Sequence, residues 1–392
     1  MTATQGILEP YPLQKTNDAD LRALTRVLWG WHQCAGAEQE NQSCEMACPW
    51  IRYPKLTKFH SLYRKLAASY VPDLESGHIP ALKNHQDVFR IITCLKARPD
   101  VPRAQLMSDY FGAQDPRASE ELPSLEDQER AFNLATRVMT SIACSGEDPE
   151  AAALELGTEP VRWRGETSLS QFLVDTFPLY SALFLSNDIR TRLSAETIRR
   201  IGRLRLQPTN DIQKHLELDT RLGTLQIYHQ TAALQEHLRA TRDLPASATV
   251  AEQVKMGNIP RQLALEVLDS LNSVLFPPFP ESQYILQSLV SKRVFDEDVL
   301  HLNMHELRRR NEVEGEYRYL ASRLRDLYNE IENPTPRGRF EQWFERRIAQ
   351  RYFMMATIGG LVAAIILGIL GLAVGIFQAF VAWQQWKHPV AA

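Results

Sequence analysis

His32, Cys34, Cys44 and Cys48 place one imidazole and three thiols in a short N-terminal stretch. Thiolate sulfur and imidazole nitrogen are the preferred ligands of zinc, and a closed tetrahedral site takes four of them. The spacing is H-x-C-x9-C-x3-C, without the C-x2-C knuckle that marks the common zinc modules. Cysteine is also a small hydrophobe that packs well in a core. The wide spacing favours that structural role, with zinc as the alternative, and no other cofactor is implied. The chain has five cysteines, an odd number, and the compartment expected below is reducing, so disulfides are not expected.

Other chemistry-bearing residues carry less. His301 and His305 lie four apart, with Glu306 adjacent, which on a helix puts both rings on one face. The acid follows the pair instead of sitting inside it, as H-E-x-x-H would require. His215, His229 and His237 surround one apparent hairpin and read as partly buried rings bonded to backbone. There is no G-x-S-x-G elbow, no G-x-x-x-x-G-K-[ST] loop and no G-x-G-x-x-G turn. No catalytic residue is therefore assigned. Arg308, Arg309 and Arg310 read as a solvated charged face. With a net charge of −3, composition gives no drive toward nucleic acid.

The elements that must position these residues are mostly helical. Leu21, Leu24, Leu28 and Trp31 recur at helical spacing, as do Leu56, Phe59, Leu62, Leu66 and Tyr70. Val88–Ala97 is a third helix stopped by Pro99, and Arg103–Phe111 a short fourth. Ser124 with Asp127 resembles a capping box opening a helix to about Cys144. Val161 to Trp163 alternate as a short strand. His215–Asp219 and Thr224–Tyr228, joined by a turn containing Gly223, read as a hairpin. Pro260 opens a helix to Leu275, and further helices cover about Gln283–Lys292 and Glu316–Glu332. The fold expected is mainly α with a minor β-hairpin. The Val88–Phe111 helices with the Leu204–Tyr228 strands offer a winged-helix-like module, which by shape alone does not imply DNA binding.

The C-terminal stretch is of another kind. From Tyr352 to Trp386 there is no charged side chain. A helix needs about 20 apolar residues to cross a bilayer core about 30 Å thick. Met354–Trp383 exceeds this, as one transmembrane helix and a tail anchor. No other uncharged run approaches the length of a span, which argues against a multispan transporter. Residues 1–20 lack a signal-peptide pattern. Arg337, Arg339, Arg346, Arg347 and Arg351 precede the span and Lys387 follows it. The positive-inside rule then puts the N-terminal side in the cytosol. Trp343 and Phe344, with Arg346 and Arg347, suit an interfacial helix before the chain turns in, and Trp383 and Trp386 mark the opposite interface. Gly360, Ala364 and Gly368 share a face, and Gly371 and Gly375 form a GxxxG step, so the span is a candidate for self-association. The organisation expected is a helical region at 1–150, a helical region with a small β element at 151–332, a linker and interfacial helix at 333–351, the anchor at 352–386 and a lumenal tail at 387–392. The strongly apolar span with a barely basic tail leans toward the endoplasmic reticulum over the mitochondrial outer membrane.

Two blocks carry a resemblance. QPTNDIQKHLELDTRLGTLQIYHQTAALQEHL, Gln207 to Leu238, and the closing run from RGRFEQWFERRIAQRYFMM to KHPV together resemble a widespread group of uncharacterised proteins of filamentous fungi. LATRVMT, Leu134 to Thr140, fits more loosely. The resemblance implies a single-pass membrane protein, with some members accompanying secondary-metabolite gene clusters. It implies an accessory role and supplies no catalytic residues. LQIYHQTAALQEHL also resembles a strand-His-helix segment in the winged-helix parts of STAND-type signalling NTPases, and the missing phosphate loop limits that kinship to the scaffold. The function expected is a membrane-tethered cytosolic interaction or accessory protein, bound to the lipid bilayer and to an unidentified protein partner. The alternative is an enzyme of unrecognised class in a fungal biosynthetic pathway.

Overall fold

Side-chain caps set the first helix boundaries. In the computed structural model, which describes residues 11–34, 48–73, 79–112, 122–146, 159–335 and 339–387, Asn17 and Asp20 form a reciprocal capping box at the start of α1, Asp18–Trp29. Each box supplies acceptors for backbone amides that the first turn leaves unpaired. A 3₁₀ helix, Pro49–Leu56, runs into α2, Thr57–Ala68. Asn84 and Asp87 box the start of α3, His85–Ala97, and α4 is Arg103–Gly112. At α5, Leu125–Thr140, only half the expected box forms. Ser124 accepts from the Asp127 amide, but the Asp127 carboxylate turns inward to accept from Tyr70 Oη and the Ala81 amide, both at 2.7 Å. This helix ends earlier than its apolar pattern suggests, because Ser141 takes a left-handed φ of 59°. Cys144 then opens a strand.

The α-helices continue with α6 (Leu169–Thr176), α7 (Asn187–Arg192), α8 (Ala195–Arg200), α9 (Thr231–Ala240) and α10 (Val250–Gly257). They end the first unit with α11 (Arg261–Asp269), α12 (Pro280–Ser291), α13 (Met304–Leu307) and α14 (Ala321–Glu332). Pro260 precedes α11 as expected, and the helix continues as a π-helical turn, Ser270–Leu275. The strands are β1 (Cys144–Ser145), β2 (Val161–Arg162), β3 (Leu183–Phe184), β4 (Arg205–Thr209), β5 (Leu218–Asp219), β6 (Thr224–Tyr228) and β7 (Glu316–Tyr317). The hairpin is present: β5 pairs antiparallel with β6, Leu218 opposite Leu225. The parallel pairing of β4 with β6, Arg205 opposite Thr224, makes the sheet mixed, in the order β4-β6-β5.

Helix α14 starts five residues later than its sequence pattern predicts. Glu316–Tyr317 instead pairs with Leu183–Phe184, and the buried Glu266 carboxylate holds the next three amides. It accepts from the backbone N–H of Arg318 at 2.7 Å and of Tyr319 and Leu320 at 2.8 Å. A tertiary carboxylate thus does the work of a cap.

The chain divides into two compact units, Met1–Pro334 and Thr335–Ala392. One apolar core runs through the first, from Leu13 to Ile331, with Trp163, Tyr228 and Tyr317 fully enclosed. In the second, α15, Arg339–Lys387, is a single unbroken helix. The expected turn between interfacial helix and span is not seen, and no proline lies between Pro336 and Pro389 to force one. Ile358–Gln384, 27 residues, is long and apolar enough to cross a membrane, and none of it is buried in the protein. At 1.5 Å per residue it is about 40 Å long, so it fits a bilayer core with tilt.

Candidate metal centre

Helix α1 stops because Gly30 takes φ 67°, and its amide bonds the Arg26 carbonyl at 2.8 Å. The left-handed conformation costs glycine little, since it has no Cβ. The chain leaves the helix through Trp31 to Cys34, which carries His32 and Cys34, and Cys48 directly precedes the 3₁₀ helix that Pro49 opens.

Two tryptophans fasten these segments together. Trp31 and Trp50 are buried and meet edge to face at 5.1 Å between centroids. Trp50 Nε1 donates to the His32 carbonyl at 2.7 Å. Arg52 stacks over Trp31, 5.6 Å from the ring centroid, and forks onto Glu236 of α9 at 2.7 and 2.9 Å. Burial works against the Arg52 charge, but the Glu236 hydrogen bonds and charge, then the Cys48 sulfur, outweigh it and raise the guanidinium's pKa.

In this frame the ligand atoms of His32, Cys34 and Cys48 lie within 4.8 Å of one another. His32 Nε2 is 4.0 Å from Cys48 Sγ. Cys48 is buried, Cys34 half-buried and His32 exposed. Three of the four residues proposed from sequence therefore converge, and Cys44 lies outside the described residues. Cys94 and Cys144 are elsewhere. Arg98 donates to Cys94 Sγ at 3.3 Å, and burial pushes the Cys144 thiol up to about 12.

The histidines near the hairpin are more deeply enclosed than their sequence context suggests. His215 Nδ1 accepts from the Tyr228 amide at 3.1 Å, and its Nε2 meets Ser270 Oγ at 2.7 Å. His237 Nδ1 accepts from Trp29 Nε1 at 3.2 Å and from Asn258 Nδ2 at 3.1 Å. Burial pushes both pKa values down to about 3, so both rings are neutral structural members. His301 and His305 do not share a helix. His301 ends a 3₁₀ turn, Glu297–His301, and His305 sits in α13.

The arginine block is not a uniformly solvated face. Arg310 is exposed, but Arg308 turns inward to Asp269 at 2.6 Å, and Arg309 donates to the Thr241 carbonyl. Asp269 also accepts from Tyr317 Oη at 2.7 Å. Arg261 binds Glu312 through two nitrogens at 2.6 and 3.0 Å. Buried carboxylates require such partners, and sequence periodicity does not show which arginine provides them.

In α15, Arg339, Trp343, Phe344, Arg346, Arg347 and Arg351 fall on the N-terminal turns, with their side chains outside the described part, as is that of Trp386. Trp383 is exposed, with Lys387 Nζ 4.4 Å from its ring centroid. Around Gly360, Gly368, Gly371 and Gly375 an added Cβ would meet no atom within 4 Å.

No protein-family model matches the chain, and no curated protein or solved structure matches it.

Proposed function

We propose that the protein is a membrane-tethered interaction or accessory protein, with the helical unit Met1–Pro334 on the cytosolic side. The observation that carries this reading is Ile358–Gln384, an uncharged helix none of whose residues is buried. An apolar surface of that extent is not stable in water and is satisfied by lipid. The orientation rests on five arginines before the span against Lys387 after it. The strongly apolar span and the barely basic stretch after it favour the endoplasmic reticulum over the mitochondrial outer membrane. Tethering raises the effective concentration of whatever the helical unit binds at one membrane. The small-residue faces at Gly360, Ala364 and Gly368 and at Gly371 and Gly375 support pairing of two copies in lipid. The resemblance to filamentous-fungal proteins supports an accessory place beside a biosynthetic pathway.

A second reading, an enzyme, has one observation on its side. A cavity of about 810 Å³ is lined by Lys55, Lys58, Asp296, Asp298 and His301 among others. Burial pushes Asp296 up to about 6. Both acids already have partners: Asp298 pairs with Lys55 at 2.8 Å, and Asp296 accepts from the Ala232 amide at 3.0 Å. That makes a structural role sufficient.

Proximity labelling with the full chain, against a control carrying only the anchor, tests the first reading. Partners enriched by the helical unit are expected, and identical labelling by the two sinks it. Loss or accumulation of a single metabolite on gene deletion, rescued by the wild type but not by a Lys55→Met variant, would establish the second.

A further inference from the structure

We propose that His32, Cys34 and Cys48 form a zinc site that fastens the exit of α1 to the start of the 3₁₀ helix. The three donor atoms approach within 4.8 Å of one another, two from the exit of α1 and one from the start of the 3₁₀ helix. In a tetrahedral site with Zn–S near 2.3 Å and Zn–N near 2.0–2.1 Å, donors sit roughly 3.4–3.8 Å apart. Closing the triad around an ion therefore needs movements of about an ångström.

The frame for such a site exists without the metal. Trp50 holds the His32 carbonyl, Trp31 packs on Trp50, and Arg52 is fixed by Glu236. Outer contacts of this kind fix the orientation of ligands before the ion arrives. The gradient of burial suits metal loading: Cys48 lies inside, while the exposed His32 leaves an approach from solvent. His32 presents Nε2 to Cys48 Sγ.

Two thiolates and an imidazole select a soft or borderline ion over magnesium or calcium, which prefer oxygen. On binding, each thiol loses its proton to solvent and the imidazole binds as the neutral ring. The two thiolate charges then balance those of Zn²⁺. The three residues leave the fourth position to a further donor. This assignment does not depend on the membrane reading.

The test uses the full chain in detergent, alkylated at lysis in one aliquot and kept reduced in another. Elemental analysis of the reduced protein is expected to give about one zinc per chain. His32→Ala, at an exposed position, and Cys48→Ser are each expected to reduce that to background, with the helical circular dichroism of His32→Ala unchanged. Exchange with cobalt(II) is expected to give thiolate charge-transfer bands in the wild type that both variants lose. Background zinc in the wild type overturns the proposal. A full zinc complement in both variants, or a Cys34–Cys48 disulfide trapped at lysis, overturns it as well.

Discussion

A single arginine placed at two depths of α15 separates a helix in lipid from one docked on protein. Leu370 lies near the middle of Ile358–Gln384, and Ile358 begins it. The span holds fourteen Ile, Leu, Val and Phe residues. At about 0.3–0.6 kcal/mol each, these favour insertion by about 4–8 kcal/mol, before five glycines and Gln378 take their share. An arginine at the centre costs about 2.5–3.5 kcal/mol, and the lost leucine adds its own contribution. Leu370→Arg should therefore lower membrane partitioning by roughly two orders of magnitude. At Ile358 the same side chain reaches the headgroups by extending its stem, and the cost falls close to zero. Alkaline carbonate extraction of membranes, with Leu370→Ala as the size control, reads the difference. Wild type, Ile358→Arg and Leu370→Ala should stay in the pellet, and Leu370→Arg should appear in the supernatant. Release of the wild type, or equal behaviour of the two arginine variants, would refute the bilayer argument.

Two further outcomes follow from the polar core. Arg308→Met should destabilise the first unit by about 3–5 kcal/mol, because it removes the ion-pair partner of the buried Asp269 carboxylate and leaves it only neutral hydroxyl donors. Adding Asp269→Asn should recover about 2 kcal/mol, so strictly additive losses in denaturant melts would show that the pair is not coupled. The second outcome concerns pH. Burial pushes His60 and His229 down to about 4 and His215 and His237 to about 3, from an ordinary value near 6.5. The unfolded chain then binds more protons between these limits, so the stability these rings contribute is full above pH 6.5 and is lost as pH falls. Glu266 and Asp296, pushed up by burial to about 7 and about 6, act in the opposite sense, and their contribution is lost as pH rises. With four histidines against two acids, stability should fall on the order of 3 kcal/mol per pH unit near pH 5. A flat profile between pH 6.5 and 4.5 would contradict the neutral assignment of the rings.

The elements that periodicity located are those whose ends are set locally. Helix α1 is bounded by Asn17 and Gly30, and both signals are written within a turn of the boundary. The hairpin was legible for the same reason, since the turn containing Gly223 and the alternation beside it are contiguous. Where a distant group decides, the pattern misleads. The apolar spacing over Glu316–Glu332 suits a helix throughout, yet Glu266, some fifty positions earlier, takes the three amides that precede α14. A carboxylate in mid-helix gives no sign in sequence of which amides it will hold. The parallel partnership of β4 with β6 is equally non-local, because it depends on what fills the connection between them.

The candidate site divides along the same line. Residue types pointed to His32, Cys34 and Cys48, but their spacing lacks the short knuckle that makes metal ligands legible. Their convergence depends on Trp31 meeting Trp50 and on Arg52 reaching Glu236 of α9. Those contacts are decided by the packing of α9 against the N-terminal segment, which no local window contains. Arg308 is a parallel case. A run of three arginines reads as solvated when each is weighed by its neighbours in sequence, and only the position of Asp269 draws the first inward. The membrane helix is the opposite limit. Its partner is an apolar solvent and not a particular set of side chains, so composition alone identifies the stretch without knowledge of any other part of the fold.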